Sequence, residues 1–531
     1  MRRLHLVWIT SWLAIGLSAC TTLRLPYQET RSNLTKPDTA KACAEWRWIG
    51  ISQPEARCPE IRGWTVRPLF PQLAPVQQGK GNYCAEQGNT PGPDLIRELN
   101  RFCVYEIGDP KQRLREPLSP LAADAELVRL DRDCAALSLA EKYLDAKEWK
   151  ADERELIAQI GKPETPLKIH QQQGVRLAFL DTQPTGVGVP EIQGNSPHGY
   201  TLARLARELV CTPGPDERCA AQITTRLALP LLTFDPKNPS KNQIAPTRGG
   251  YFGMQSDLAQ AIRDEVDSWR KESPQQHLVL NLSMAWDGNL FGGLNEEQIG
   301  DLRAGTQAVY RALQYAASFD VLVLAAAGNQ KREPCANYGP LLPAAWERSA
   351  PREEGCKPRN APLLYAVGGL GADGEYLSNA RPGGMPRRVA YGETPVFAGS
   401  SVATAVASSI AAVVWNSFPD LDARRVMDIL DTRVQENELP YTADFWFGSD
   451  LPSAVPGPKV QRLSLCAVLK EACKTHASSS CPISLRCRPF EKPEGLAPYG
   501  RTAEKGSCQP WLFPQPEQDP CPACIKPPAL Q

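Results

Sequence analysis

Histidine is scarce in this 531-residue chain, with five in all, and neither sign of charge is in excess: Lys plus Arg and Asp plus Glu both number 59. A balanced chain has no bulk field with which to hold nucleic acid or an anionic bilayer, so neither is expected as the main partner. The sequence also lacks an internal repeat, a nucleotide-binding glycine loop and a cluster of metal ligands, and no cofactor or metal is expected. The nearest approach to a zinc motif, Cys521-Pro522-Ala523-Cys524, has no second pair of matching spacing and only His476 nearby, so it reads as disulfide chemistry.

The first twenty residues are informative. Arg2 and Arg3 give a positive start, Leu6 to Leu17 an apolar run too short to span a bilayer comfortably, and Leu17-Ser18-Ala19-Cys20 a small-residue site ending in cysteine. The segment resembles a bacterial lipoprotein signal. That resemblance implies removal of residues 1–19, lipidation of Cys20 and a membrane-anchored place in the cell envelope, with Thr21 compatible with the outer membrane. A plain secretory signal is the competing reading, and Cys20 favours lipidation.

Seventeen cysteines suit an oxidising compartment, and setting Cys20 aside leaves an even number for disulfides. The chain divides by pattern. Residues 20–165 form an N-terminal region with five cysteines besides Cys20, Pro-rich connections and a charged helical pattern from about Ala122 to Ile160. Residues 166–439 alternate apolar runs with amphipathic segments, and residues 440–531 form a Cys- and Pro-rich tail with helix signals around Ser464 to Ala472. The cysteine counts of five, four and seven include two odd ones, so complete pairing requires at least one bridge from the N-terminal region to another part.

In the middle region, Val175 to Leu180, Ile223 to Phe234, Leu278 to Met284, Val321 to Ala327 and Leu363 to Val367 read as buried strands. Thr201 to Leu209, Leu258 to Arg270, Ile299 to Ala317, Val402 to Trp415 and Leu421 to Leu430 carry the helical period. Strands alternating with helices give an α/β fold, a doubly wound and mostly parallel sheet covered on both faces. The stretches 235–253 and 331–362 read as long loops, and in such sheets the loops after the strand C-termini bind ligands.

With His5 inside the signal, a histidine-dependent mechanism must choose among His170, His198, His277 and His476. His198 stands in Ser196-Pro197-His198-Gly199 at the start of a helix pattern; His277 opens a strand, His170 precedes one, and His476 lies in the tail. A serine hydroxyl becomes a competent nucleophile when an imidazole takes its proton and a carboxylate fixes the imidazole tautomer. Asp181 ends the strand from Val175, and Ser401 opens the small-residue helix Val402 to Trp415, whose N-terminus can face developing negative charge. Asp181, His198 and Ser401 are therefore the candidate catalytic residues.

The blocks Asp181-Thr182, His198-Gly199, Ala326-Ala327-Gly328-Asn329 and Gly399-Ser400-Ser401-Val402-Ala403 occur in the order found in the subtilisin-like serine proteases, which the middle region resembles from about Gly174 to Asp431. The resemblance implies a serine endopeptidase acting on proteins or peptides, with Asp181 orienting, His198 as base and then acid, Ser401 attacking and the Asn329 side chain in the oxyanion hole. It also implies that Ser283 and Met284 bind substrate as an added strand beside the primary pocket. Trp286 then either narrows that pocket or turns into the core. The chain departs from the family pattern at Gln183, at Tyr200-Thr201 and at Ala405. By the same resemblance, the N-terminal region is an inhibitory, folding-assisting prosegment or else a permanent domain.

Two other classes stay open. An α/β-hydrolase esterase using Ser401 would need a glycine where Ala403 stands and would draw on His476. A binding protein that kept the fold and lost turnover is compatible with the departures at Gln183 and Tyr200.

Overall fold

The computed structural model describes residues 43–54, 58–61, 63–70, 93–107, 126–138, 160–161, 169, 171–182, 198–212, 217–231, 234–235, 237–242, 252–288, 298–329, 340–349, 362–371, 377, 388–393, 398–431, 438–439, 460–476 and 487. The expected signal with Cys20 and most of the loop at 331–362 lie outside these residues. Among the described residues no helix is long and apolar enough to cross a membrane.

The N-terminal elements are β1 (Cys43–Ser52), β2 (Trp64–Pro68), α1 (Pro93–Asn100), β3 (Phe102–Ile107) and β4 (Leu127–Ser138). There follow β5 (Val175–Asp181), α2 (His198–Val210), β6 (Ala221–Leu227), β7 (Phe252–Met254), α3 (Gln255–Glu272), β8 (His277–Leu282), β9 (Met284–Ala285), α4 (Ala304–Ala317), β10 (Leu322–Ala326), β11 (Tyr365–Leu370) and β12 (Arg388–Tyr391). The last are α5 (Ser400–Ser417), α6 (Ala423–Leu430), β13 (Glu438–Leu439), β14 (Val460–Arg462) and α7 (Leu465–Thr475).

Eight strands form one sheet in the order β13-β14-β12-β11-β10-β8-β5-β6, and every neighbouring pair except β13 with β14 is parallel. The fold is thus mixed α/β with a mostly parallel sheet, as the alternation of runs implied. Every residue of β5 is buried, as a central parallel strand covered on both faces requires. Its side chains alternate: Ala178 and Leu180 join the core under α3 and α4, while Leu177 and Phe179 join the core under α2, α5, α6 and α7. Arg176, in the same strand, is buried against Glu265 at 2.7 Å and reaches Glu272 at 3.0 Å, so its charge is paired where desolvation would otherwise be costly.

Helix α5 is built from small residues and buried from Ser400 to Asn416, which lets its backbone lie close to the sheet. Some of its hydroxyls are satisfied within the helix: Thr404 donates to the Ser400 carbonyl at 2.7 Å and Ser409 to that of Ala405 at 2.8 Å.

The structure departs from the sequence reading in several places. The charged stretch read as helical from Ala122 contains strand β4, and residues 139–159 of that stretch lie outside the description. Two of its acidic residues find helix N-termini: Asp131 accepts from the Ala304 N–H at 2.8 Å, and Asp133 accepts from the Ser256 N–H at 3.3 Å and from its hydroxyl. The helix expected from Ile299 is interrupted, a 3-10 turn at Ile299–Asp301 giving way to α4 at Ala304. Residues 460–475, expected in the stapled tail, supply β14 to the parallel sheet and α7 to its core. The described disulfides, Cys43–Cys134, Cys58–Cys103, Cys211–Cys219 and Cys466–Cys487, each join cysteines of one sequence region. Cys84 lies outside the described residues.

A second sheet has the order β2-β3-β1-β4-β7, with β9 also on β4. Strand β4 of the N-terminal region therefore continues the antiparallel β1–β3 array directly into β7 and β9.

Candidate active site

Strand β5 ends on Asp181 and α2 opens on His198, both fully buried. His198 Nδ1 lies 2.8 Å from Asp181 Oδ1 and 2.9 Å from Oδ2. An ionised carboxylate only accepts hydrogen bonds, so this contact puts the proton on Nδ1 and leaves the Nε2 lone pair as the basic site. Asp181 is itself fixed, since Oδ1 accepts from the Thr182 N–H at 2.7 Å, and Thr182 Oγ1 accepts from the Gly199 N–H at 3.0 Å. Glycine is required at 199 by the close approach, because a Cβ there would stand 3.0 Å from Asp181 Cβ.

Ser401 lies in the first turn of α5, buried, with its hydroxyl 3.3 Å from the carbonyl of Ser283. The Ser283 hydroxyl in turn donates to Asn281 Oδ1 at 2.8 Å and reaches the Ser401 carbonyl at 3.2 Å, so the strand end and the helix start are tied together. In the parallel pair β5–β8, Phe179 is level with Asn281. Asp181 and Ser283 are each two residues further on, at the ends of neighbouring strands that run about 4.8 Å apart. The Asp181–His198 pair and Ser401 thus occupy adjacent positions on one rim of the sheet, with α2 packed against α5 above it.

Asn329 follows β10 on the same rim. Its Oδ1 accepts from the Ser400 N–H at 2.7 Å and from the Ser400 hydroxyl at 2.9 Å, while Ser400 Oγ accepts from the Gly328 N–H at 3.0 Å. A backbone N–H can only donate, so the atom facing it is the amide oxygen and the NH2 group points the other way, along Gly399. A Cβ on Gly399 would come within 2.3 Å of Asn329 Nδ2. First-turn N–H groups of a helix lack intrahelical acceptors, so the Asn329 amide and the start of α5 offer donors on one side of Ser401.

Met284 and Ala285 are taken up by β9, which pairs antiparallel with β4: Ser138 opposite Met284 and Leu137 opposite Ala285. On its other edge β4 pairs with β7, Ala136 opposite Gly253 and Ala135 opposite Met254. The strand expected to receive a peptide is therefore covered by the chain's own N-terminal region, at a position that begins one residue from Ser283. Burial of Asp133, just before this stretch, pushes its carboxyl up to about 7 against the pull of Arg47, with Asp257 adding to the rise.

Of the two fates open to Trp286, the structure gives the core: it is buried, edge-on to Trp346 with centroids 5.8 Å apart. Two other histidines have structural places. His277 stacks on Trp415 at 4.4 Å with its Nε2 on the Pro419 carbonyl at 2.9 Å, and His476 ends α7 with its ring 6.0 Å from Phe418. His170 lies outside the described residues. Sequence reasoning did not single out Ser400 or Thr182; each is the neighbour of a candidate residue, and only their side-chain geometry reveals the part they play in holding it.

No family model matches the chain, and no curated protein matches it. Solved structures do align with it. A serine-to-alanine mutant of the protease domain of PatA is 18% identical, over 58% of this chain and 99% of that one, with a TM-score of 0.34. Subtilase cytotoxin SubAB is 16% identical, over 60% and 97%, with a TM-score of 0.36. The prenylagaramide maturation protease PagA is 17% identical, over 60% and 98%, with a TM-score of 0.33.

Proposed function

We propose that this chain is a serine endopeptidase of the subtilisin type, with Asp181, His198 and Ser401 as its catalytic triad and Asn329 in the oxyanion hole. The observation that carries the reading is the Asp181–His198 contact one strand away from a serine at a helix N-terminus. Ser401 Oγ attacks the carbonyl carbon of the scissile bond as His198 Nε2 takes its proton. Asp181 holds the imidazole in the working tautomer and stabilises the imidazolium, and the Asn329 NH2 group and first-turn N–H of α5 receive the oxyanion. His198 then gives the proton to the leaving amine, and water repeats the sequence on the acyl-enzyme.

The esterase alternative would recruit His476, which sits at the end of α7 beside Phe418, while His198 already has its carboxylate. The silent-binding-protein alternative finds no support in the candidate residues, whose types and contacts suit turnover. Hydrolysis of casein or a quenched peptide by the purified chain, abolished by both Ser401→Ala and His198→Ala, supports the reading; activity lost with His476→Ala and kept with His198→Ala refutes it.

The N-terminal region is read as an intramolecular inhibitor, because Ala135 to Ser138 take the place of a substrate strand between β7 and β9. Export and lipidation at Cys20 complete the reading, supported by the signal pattern and by disulfides that need an oxidising compartment. Metabolic labelling with palmitate, lost in Cys20→Ser, tests the anchor.

A further inference from the structure

Beside the groove lies an apolar shelf that none of the proposed catalytic steps uses. Leu231 and Phe252 exchange two backbone hydrogen bonds of 2.9 and 3.0 Å, the Phe234 ring stacks on Phe252 with centroids 6.2 Å apart, and Met254 completes the surface. Three residues of the N-terminal region cover it: Ala135 from β4, and Ala44 and Trp46 from β1. Leu231, Phe234 and Met254 are buried beneath them.

Strand register says which substrate residue would face this shelf. The residue before the scissile bond must lie level with Ser283, whose carbonyl the Ser401 hydroxyl contacts. Along the path of β4, the second and third residues before that bond then pair with Met284 and Ala285, the fourth with Gly253 and the fifth with Met254. Side chains alternate along a strand. Ala136, at the fourth position, joins the main core, whereas Ala135, at the fifth, faces the shelf.

Ala135 is not the shelf's only cover, since Trp46, arriving from a different strand, packs against the same residues. A substrate has no β1 to bring with it. Once the N-terminal region leaves, the space occupied by Ala135 and Trp46 together is open to one larger side chain, and an uncovered apolar patch is most favourably covered by apolar surface.

We propose that Leu231, Phe234, Phe252 and Met254 form a subsite that selects a large apolar or aromatic side chain on the fifth residue before the cleaved bond. The proposal rests on the endopeptidase reading and on displacement of β4. It goes beyond both, because neither says what the groove prefers so far from Ser401.

The test uses the full-length chain, and in parallel the Ala136→Arg chain in which β4 is unseated, with quenched peptides identical except at the fifth position: Ala, Leu, Phe, Trp or Lys. A self-inhibiting strand competes equally with all of them, so ratios of kcat/KM report the subsite alone. Phe and Trp peptides are expected to be cut roughly tenfold or more faster than Ala and Lys peptides, the fold-change that burial of an aromatic ring supports. Phe234→Ala is expected to flatten the series and Phe234→Leu to retain it. Turnover of all five peptides at equal kcat/KM overturns the subsite and leaves the peptidase reading standing. Turnover of none, in either chain, overturns the peptidase reading and the subsite with it.

Discussion

Asn329 Oδ1 accepts both the N–H and the hydroxyl of Ser400, at 2.7 and 2.9 Å, so the residue before Ser401 aims the Asn329 amide. The proposed oxyanion donor and the helix that carries Ser401 are held by the same pair of bonds. Replacing Asn329 by Leu is expected to lower kcat by roughly 10²–10³-fold with little change in KM, since the lost donor acts only on the developing charge. Gly399→Ala is expected to act in the same direction, because its Cβ would stand 2.3 Å from Asn329 Nδ2 and displace the amide. Steady-state kinetics on a peptide substrate checks both, and an unchanged kcat in Asn329→Leu removes the residue from the mechanism.

Asp181 accepts from His198 Nδ1 and from the Thr182 N–H. Asparagine at 181 keeps the volume but presents an NH2 group that favours the opposite imidazole tautomer. The expected loss in kcat is on the order of 10⁴-fold, with the folded state retained in circular dichroism. A loss below tenfold would mean that the carboxylate does not orient the base.

If the N-terminal region restrains turnover as proposed, the pairing of β4 with β7 and β9 is where it acts. Ala136 is fully buried on this strand. Arginine there would carry a charge into an apolar site at a cost of several kcal/mol, enough to unseat the strand without reaching the triad. Initial rates on a short peptide are expected to rise at least several-fold in Ala136→Arg. An equal or lower rate, with the triad reactive, would show that β4 does not restrain turnover.

Asp133 lies on the same strand and is expected to make its stability depend on pH. It is buried between Ser256 and the start of α4, near Arg47 and Asp257, with Arg47 also on Glu106 at 2.7 Å, and burial lifts its carboxyl to about 7. A carboxyl raised in the folded state favours that state most at acid pH, and the advantage is lost as pH rises from about 4 through about 7. Relative to Asp133→Asn, the native chain is expected to lose stability across that window by up to about 1.4 kcal/mol per pH unit and to change little above it. Denaturant titrations of the two chains at pH 4, 5.5, 7 and 8.5 measure the difference. Parallel curves would place the titration of Asp133 elsewhere.

The α/β unit was legible because its strands are largely apolar runs, as at Val175 to Leu180, and because the helix after Ser401 is rich in small residues. Asp181 and His198 were legible from their places at a strand end and a helix start, and their contact follows from that placement. β4 was not. Its charges at 129, 131 and 133 look like a solvated helix face until α4 and α3 are seen to offer N-termini to Asp131 and Asp133, a tertiary fact with no local signature. β14 was missed for a similar reason: Val460–Arg462 is a short strand in a Pro-rich setting, recruited by the edge of β12. The occupation of the groove by Ala135 to Ser138 combines both, since it depends on pairings between residues more than a hundred positions apart.

The proposed function requires Ser401 to be an activated nucleophile. Labelling with a fluorophosphonate probe, followed by peptide mapping, addresses it directly in the full-length chain and in Ala136→Arg. A single adduct is expected on Ser401, stronger in Ala136→Arg, absent in Ser401→Ala and greatly slowed in His198→Ala. An adduct that persists in Ser401→Ala, or no adduct in either the native or the unseated chain, would contradict it.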